Sequence, residues 1–391
     1  MKPSLREFFP GFLRLLPLLP ALVCAAFPAT PSATPEAGPS PAVPAGVKLD
    51  TGEIEGAKFV IARPAQWSGC VLLLAHGFRD PNAPLVADLD PNHLACRTLL
   101  EEGWIVATTS YRRNGMIIRD AIADIENLRE RIASTCGEPR RVLLEGDAMG
   151  GAIVTLIAEQ FAGHYQGAVA VGPALQMRGA KDPLPFNLQP QIPVVFLCTQ
   201  NELDAPRKYL SAPYERQSSL LLLEVSRDGR LNVSQRERLL AIRTLIALIE
   251  REPVTLPTVA GGPDCFDATQ EQVQVTSQVR LLNEGGFEAR VTDVTVIDGD
   301  LVLNAQPSDF SAADIAPGTR FEVVARGKSL NVLYGRASAG GPRGSWIAFP
   351  DADGFFRLIC SGGDAATITG LGTGDPVVIR RLQEGAGATP P

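Results

Sequence analysis

The stretch 142–157 constrains this chain more than any other. An apolar run, Val142-Leu143-Leu144, leads into Gly146-Asp147-Ala148-Met149-Gly150-Gly151, and behind it Ile153, Leu156 and Ile157 recur at helical spacing. A strand that passes into a helix through one residue must turn sharply, and side chains two positions to either side of the apex would collide. Gly146 and Gly150 stand at those positions, so residue 148 is the apex. It is alanine, whose side chain carries no nucleophilic or acid–base atom.

Around that turn, residues 47–251 alternate between two periods. Short apolar runs at 58–62, 70–75, 104–108, 142–144, 167–171, 192–198 and 220–225 read as strands. Between them 94–102 and 117–134 read as helices, the second from the spacing of Ile118, Ala121, Ile125, Leu128 and Ile132. Ser234 and Glu237 make a capping box for a last helix whose apolar face holds Ile242, Leu245 and Ile249. Continuous apolar strands alternating with helices predict an α/β domain, a mostly parallel sheet with helices on both faces. Ligands in such sheets gather beyond the carboxyl ends of the strands, which selects the loops 76–80, 110–113, 147–149, 199–204 and 228–232.

These residues resemble the α/β-hydrolase family in three places: a strand ending at His76-Gly77, the 146–151 turn, and an acid after a later strand. The resemblance spans residues 50–250. It implies a nucleophile, an acid and a histidine in that order. The matching positions are Ala148, Asp204 (with Glu202 as second choice) and Arg230. The chain has three histidines, His76, His93 and His164, so none can follow the acid in that order. Asp147 is no substitute nucleophile, because its own turn would need glycines where Glu145 and Met149 stand, and arginine cannot act as a base. The resemblance also implies an oxyanion-type loop of His76, Gly77, Phe78 and the Met149 backbone. Arg79, Asp80, Arg112, Arg113, Asp147 and Arg230 would face it as pocket charges. The resulting expectation is a pseudoenzyme that binds a small polar or anionic ligand, without cofactor or metal. An alternative is an active serine-type esterase using Ser110. The short segment 172–191 implies a small cap or none.

The first residues read as an export signal. Lys2 and Arg6 precede an apolar run at 12–27 that Arg14, Pro17 and Pro20 interrupt, which makes it too short for a stable membrane span. The expectation is cleavage after Ala26, a Pro/Ala-rich tether at 27–46, and a periplasmic or secreted protein. Lipid attachment at Cys24 is disfavoured by Ala21-Leu22-Val23 before it. Six of the seven cysteines follow the signal, and an oxidising compartment permits their pairing. Cys70 and Cys136 precede or begin neighbouring strands on one edge and form one candidate disulfide. Cys265 and Cys360 form another, while Cys198 reads as a core thiol. A net charge of −7 offers no basic footprint for nucleic acid.

Beyond a Pro/Gly linker at 252–268 the period becomes two. Short runs at 291–297, 301–303, 321–325, 330–333, 346–349, 355–359 and 377–379 predict an antiparallel barrel or sandwich over 269–383, before a disordered tail at 384–391. This domain looks like the C-terminal domain of the S-adenosylmethionine hydroxide adenosyltransferase family. The residues that carry the likeness are Asp298-Gly299-Asp300, Pro342-Arg343-Gly344 and Gly362-Gly363-Asp364-Ala365-Ala366. The likeness implies a nucleoside-binding module as a further alternative. Asp298 and Asp300, however, stand where that family has Phe and Asn, and its catalytic half has no counterpart here.

Overall fold

A computed structural model describes residues 43–176, 184–213, 220–227, 229–254, 278–282, 285–295, 299–336 and 341–382. The expected signal and most of the tether, linker residues 255–268, Cys265, Asp298 and the tail lie outside these ranges. Among the described residues no helix is long and apolar enough to cross a membrane.

The first domain is built on eight strands: β1 (Lys48–Ile54), β2 (Ala57–Arg63), β3 (Cys70–Ala75), β4 (Ile105–Thr109), β5 (Arg141–Asp147), β6 (Gly167–Val171), β7 (Val194–Thr199) and β8 (Leu220–Val225). Their order in the sheet is β1-β2-β4-β3-β5-β6-β7-β8. β1 and β2 run antiparallel to their neighbours, and every pairing from β3–β4 to β7–β8 is parallel. β1 was not expected, because Asp50, Gly52 and Glu53 break its alternation. It forms as the partner of β2 across a tight turn in which Glu55 and Gly56 both take positive φ.

Alternate residues of each strand enter different cores, because side chains of a strand point to opposite faces. Val71, Leu73 and Leu144 pack under α2 (Ile118–Cys136) and α3 (Met149–Gln160), against Ile125, Leu128, Ile153 and Leu156. Cys70, Leu72 and Leu143 pack under α1 (Leu94–Glu101) and α5 (Gln235–Glu250), against Leu99, Ile242 and Leu245. The α/β-hydrolase fold expected for this domain is therefore present, with helices on both faces of a mixed sheet. The described residues of 172–191 contain no helix or strand.

The same alternation undoes the first disulfide. Cys70 points into the core beneath α1 and α5, whereas Cys136, at the end of α2, packs against the opposite core. The sheet separates them and both are free thiols. Cys136 Sγ instead lies 3.6 Å from Arg63 Nη1. Cys360 is likewise a free, buried thiol, and Cys198 is a core thiol as expected.

The second domain is a closed barrel. Seven strands form its ring: β10 (Phe287–Val294), β11 (Leu301–Leu303), β12 (Arg320–Ala325), β13 (Lys328–Tyr334), β14 (Trp346–Pro350), β15 (Phe356–Cys360) and β16 (Pro376–Arg381). They follow the order β11-β15-β14-β13-β12-β16-β10, and β10 pairs back to β11. The short β9 (Arg280–Leu281) pairs with β10 outside the ring. β13 and β14 are parallel, an exception to the expected antiparallel pattern. A short helix, α6 (Pro307–Ala312), drives Phe310 into the barrel, stacked 3.7 Å from Phe356 and edge-on to Phe287 and Phe321 at 5.2 Å.

The turn between β14 and β15 docks on the start of α5. Asp353 accepts the Gln235 backbone N–H at 3.0 Å, and Ala352 N–H donates to Asn232 Oδ1 at 3.0 Å. One barrel loop thus supplies an acceptor to a helix N-terminus that has unpaired donors. The contact holds the barrel against the loop that follows β8.

Candidate functional site

The turn at 146–151 has the geometry expected of it. Ala148 adopts φ 47° and ψ −103°, a region that side-chain-bearing residues rarely enter. Its N–H donates to the Val171 carbonyl at 3.0 Å, and its own carbonyl accepts from Ala174 N–H at 2.9 Å. A Cβ at Gly146 would strike the Gly150 backbone, and one at Gly150 would strike the Ala75 carbonyl. Both glycines are therefore required by close approach of backbone to backbone. Met149 is the first residue of α3, so its N–H has no partner within the helix.

The acid facing the last loop is Glu202, not Asp204. Glu202 Oε1 accepts the Leu231 N–H at 3.1 Å, and Oε2 accepts from Thr199 Oγ1 at 2.9 Å. A Cβ at Gly172 would meet both the Glu202 carboxylate and Leu231 Cδ2, which places acid and leucine directly beyond β6 and beside the apex. Burial raises the Glu202 carboxyl above its usual range, against the hydrogen bonds from Thr199 and Leu231 and the nearby charge of Arg230. Asp204 is exposed in the first turn of α4 (Asp204–Leu210), where its charge supports Arg207. A side chain two residues earlier in the chain than expected makes the contact because residues 200–202 form a turn of 3-10 helix that swings Glu202 inward.

The position beside that acid belongs to Leu231, whose φ is 53°. Arg230 turns away and lines a cleft against the barrel.

His76 is structural. Its Nδ1 lies 2.7 Å from the Gly77 carbonyl oxygen, and its ring stacks on Tyr111 at 3.9 Å. Tyr111 Oη donates to the His76 carbonyl at 3.1 Å. Burial, reinforced by the Arg79 charge, lowers the imidazole pKa to about 4, so the ring is neutral at physiological pH. Gly77 is buried and Phe78 packs against the core beneath α2 and α3.

The expected pocket charges are held by the scaffold. Arg79 binds Asp88 at 2.7 Å and the Val86 carbonyl. Arg112 grips the buried Asp124 at 2.6 and 2.9 Å, and Arg113 pairs with Asp120. Asp80 accepts the Asn82 N–H in a local turn. Asp147 is paired with Arg238 at 2.8 Å, and the same guanidinium reaches Glu145 at 2.7 Å. Burial opposes the Arg238 charge, but Asp147 and Glu145 together raise its pKa above the ordinary value. Burial also pushes the Glu145 carboxyl up against the pull of Arg238. Arg79, Arg112, Arg113 and Arg238 thus each hold a carboxylate, whereas Arg230 makes no ion pair with a described residue. Arg238 was not singled out in the sequence. Its signal was the Glu145/Asp147 pair on one strand end, which needs a cation when buried.

Ser110 cannot serve as a nucleophile in this arrangement. It is fully buried, its hydroxyl donates to the Tyr111 carbonyl at 2.8 Å, and it accepts from Lys58 N–H at 3.0 Å.

The barrel motifs meet the first domain at the Arg230 cleft. Asp300, Gly362, Gly363 and Asp364 line it together with Arg230 and Asn232. Gly299 packs against the Asp364 carboxylate, which caps α7 (Ala365–Thr369) by accepting from Thr367 N–H at 2.7 Å.

No protein-family profile matches the chain. Over 81 residues it is 31% identical to lipase 2 of Moraxella sp., a stretch covering 19% of this chain and 19% of the lipase. The match thus spans about a fifth of that relative's length. Among solved structures, an uncharacterized conserved protein of Thermotoga maritima is similar at 21% identity and a TM-score of 0.25, over 27% of this chain and 39% of that one. Esterase B of Lactobacillus rhamnosis is similar at 18% identity and a TM-score of 0.38, over 54% of this chain and 88% of the esterase.

Proposed function

We propose that this protein is a non-catalytic α/β-hydrolase-fold protein that acts by binding a small polar or anionic ligand. The observation that carries the reading is the apex: the strained backbone of a nucleophile turn is kept, and its side chain is Ala148. Glu202 stands where a triad acid would, yet the residue beside it is Leu231, and no histidine follows residue 164. Loss of nucleophile and base together removes on the order of a millionfold in rate in a serine protease. The resemblance of residues 1–26 to an export signal supports a place for the protein in the periplasm or outside the cell.

The test is ester turnover by the purified chain beside an Ala148→Ser, Leu231→His double variant, on acetyl and butyryl p-nitrophenyl esters. The natural chain is expected to give no rate above buffer. A natural-chain rate that falls in Glu202→Gln would sink the reading.

A further inference from the structure

Two arginines enter one cleft from different domains, and neither makes an ion pair with a described residue. The cleft has a volume of about 500 Å³, within the range of small-molecule sites. Arg230 reaches it from the loop after β8. Arg357 reaches it from the outer face of β15, where its register partner is Val302. Neither guanidinium makes a hydrogen bond or ion pair with any described residue, and Arg357 Nε is buried without a partner. The arginines around the turn behave differently: Arg79, Arg112, Arg113 and Arg238 each hold a carboxylate. A buried donor left unsatisfied is costly, and a guanidinium is built to bind carboxylate or phosphate oxygens through paired N–H groups.

We propose that this interdomain cleft binds a small organic oxyanion, a carboxylate or phosphate ester that also carries a hydroxyl or amine. The anionic group lies between Arg230 and Arg357. Glu202 is within electrostatic reach of Arg230, and Asp351 and Asp293 are within reach of Arg357, but none of them closes an ion pair on it. Asp300 and Asp364 line the same cleft, and their carboxylates accept hydrogen bonds and repel a second anionic group. Phe349 adds an apolar surface. The ligand therefore has one anionic end and one donor end, and its binding joins the two domains. This assignment rests on the reading that the protein works by binding, but it places the ligand away from Ala148.

The experiment is calorimetric titration of the full chain with L-malate, glycerol 3-phosphate, inorganic sulfate and adenosine. L-malate or glycerol 3-phosphate, each an oxyanion beside a hydroxyl, is expected to bind with a dissociation constant below about 1 mM. Which of the two binds distinguishes a carboxylate from a phosphate ligand. Arg230→Gln and Arg357→Gln should each weaken that binding about tenfold or more, while Arg357→Lys, which keeps charge and stem, should weaken it less. The proposal is overturned if neither organic anion gives heat, if sulfate binds as tightly as both, or if adenosine alone binds. It is also overturned if affinity is indifferent to both arginine substitutions. Ester turnover by the natural chain would defeat the non-catalytic reading while leaving these binding results unchanged.

Discussion

Glu202 Oε1 accepts the Leu231 backbone N–H at 3.1 Å, so a carboxylate at the end of β7 faces an aliphatic residue in the loop after β8. In an active hydrolase that carboxylate orients an imidazole. Here it ties the end of β7 to the loop after β8, which is structural work that a neutral acceptor can also do. Burial raises the Glu202 pKa, so its protonated form is favoured in the folded state relative to the unfolded chain. The contribution of that shift is present at low pH and is lost as pH rises through the folded pKa. Glu202→Gln should stay within about 1 kcal/mol of the parent, whereas Glu202→Ala should lose about 2 kcal/mol, because it leaves the Leu231 N–H without its acceptor, while the Thr199 hydroxyl keeps the Gly229 carbonyl. Urea denaturation at neutral pH checks both values.

Ala148 offers an unusual expectation for its turn. A non-glycine residue at φ 47° and ψ −103° carries strain of about 1–3 kcal/mol, and glycine would not. The added freedom of the unfolded chain offsets about 0.4–1 kcal/mol of that gain. Ala148→Gly should therefore hold stability or raise it by about 1 kcal/mol. Gly150→Ala should lose about 3 kcal/mol, since its Cβ has no room beside the Ala75 carbonyl. The denaturant midpoint of Gly150→Ala should fall while that of Ala148→Gly holds or rises, and a stabilised Gly150→Ala would contradict the account.

His76 makes folding sensitive to mild acid. Its folded pKa, about 4, lies below the ordinary 6.5, so between these values the unfolded chain binds a proton that the folded chain refuses. Stability is complete above pH 6.5, falls as pH drops towards 4, and the total loss from this group is about 3 kcal/mol. His76→Phe should flatten the slope of stability against pH in that interval. An unchanged slope in the variant would assign the acid sensitivity elsewhere.

Arg238 holds two carboxylates of the strand that leads into the turn. Arg238→Met leaves Glu145 buried without its counter-charge and should cost about 3 kcal/mol at neutral pH. The loss should shrink in acid, where Glu145, whose pKa burial already raises, takes up a proton. Adding Glu145→Gln to Arg238→Met should recover much of the stability at neutral pH, and a double variant as weak as the single one would refute the pairing as the cause.

Much of the architecture could be read from periodicity. The strands from β3 to β8 and the helices α1, α2 and α3 follow from apolar runs alternating with the 3.6-residue repeat, whereas α4 between β7 and β8 showed no such repeat; the barrel strands follow from the two-residue repeat. β1 escaped because its polar residues carry no pattern of their own and its pairing to β2 supplies the order. α6 escaped because six residues are too few to show a period, although Phe310 fills the centre of the barrel. The site was read less well. Asp204 was preferred over Glu202 by chain position alone, and a single turn of 3-10 helix reverses that preference. The Cys70–Cys136 pairing followed from strand adjacency, which ignores the face each side chain takes.

By itself the amino-acid sequence determined that the turn has no nucleophile and that no histidine can follow the acid, since both depend only on which residues occur and in what order. It also determined the two classes of architecture, because backbone periodicity is a local property. Only the tertiary structure decided which carboxylate meets the last loop, which face each thiol takes, and which arginines are neutralised. Those outcomes are distances between groups far apart in the chain, such as Arg238 and Glu145, 93 residues apart, and Arg230 and Arg357, brought to one cleft from two domains. Charge pairing acts through space at a few ångströms, so the composition of the loops could name the arginines but only folding could show which of them were left without a partner.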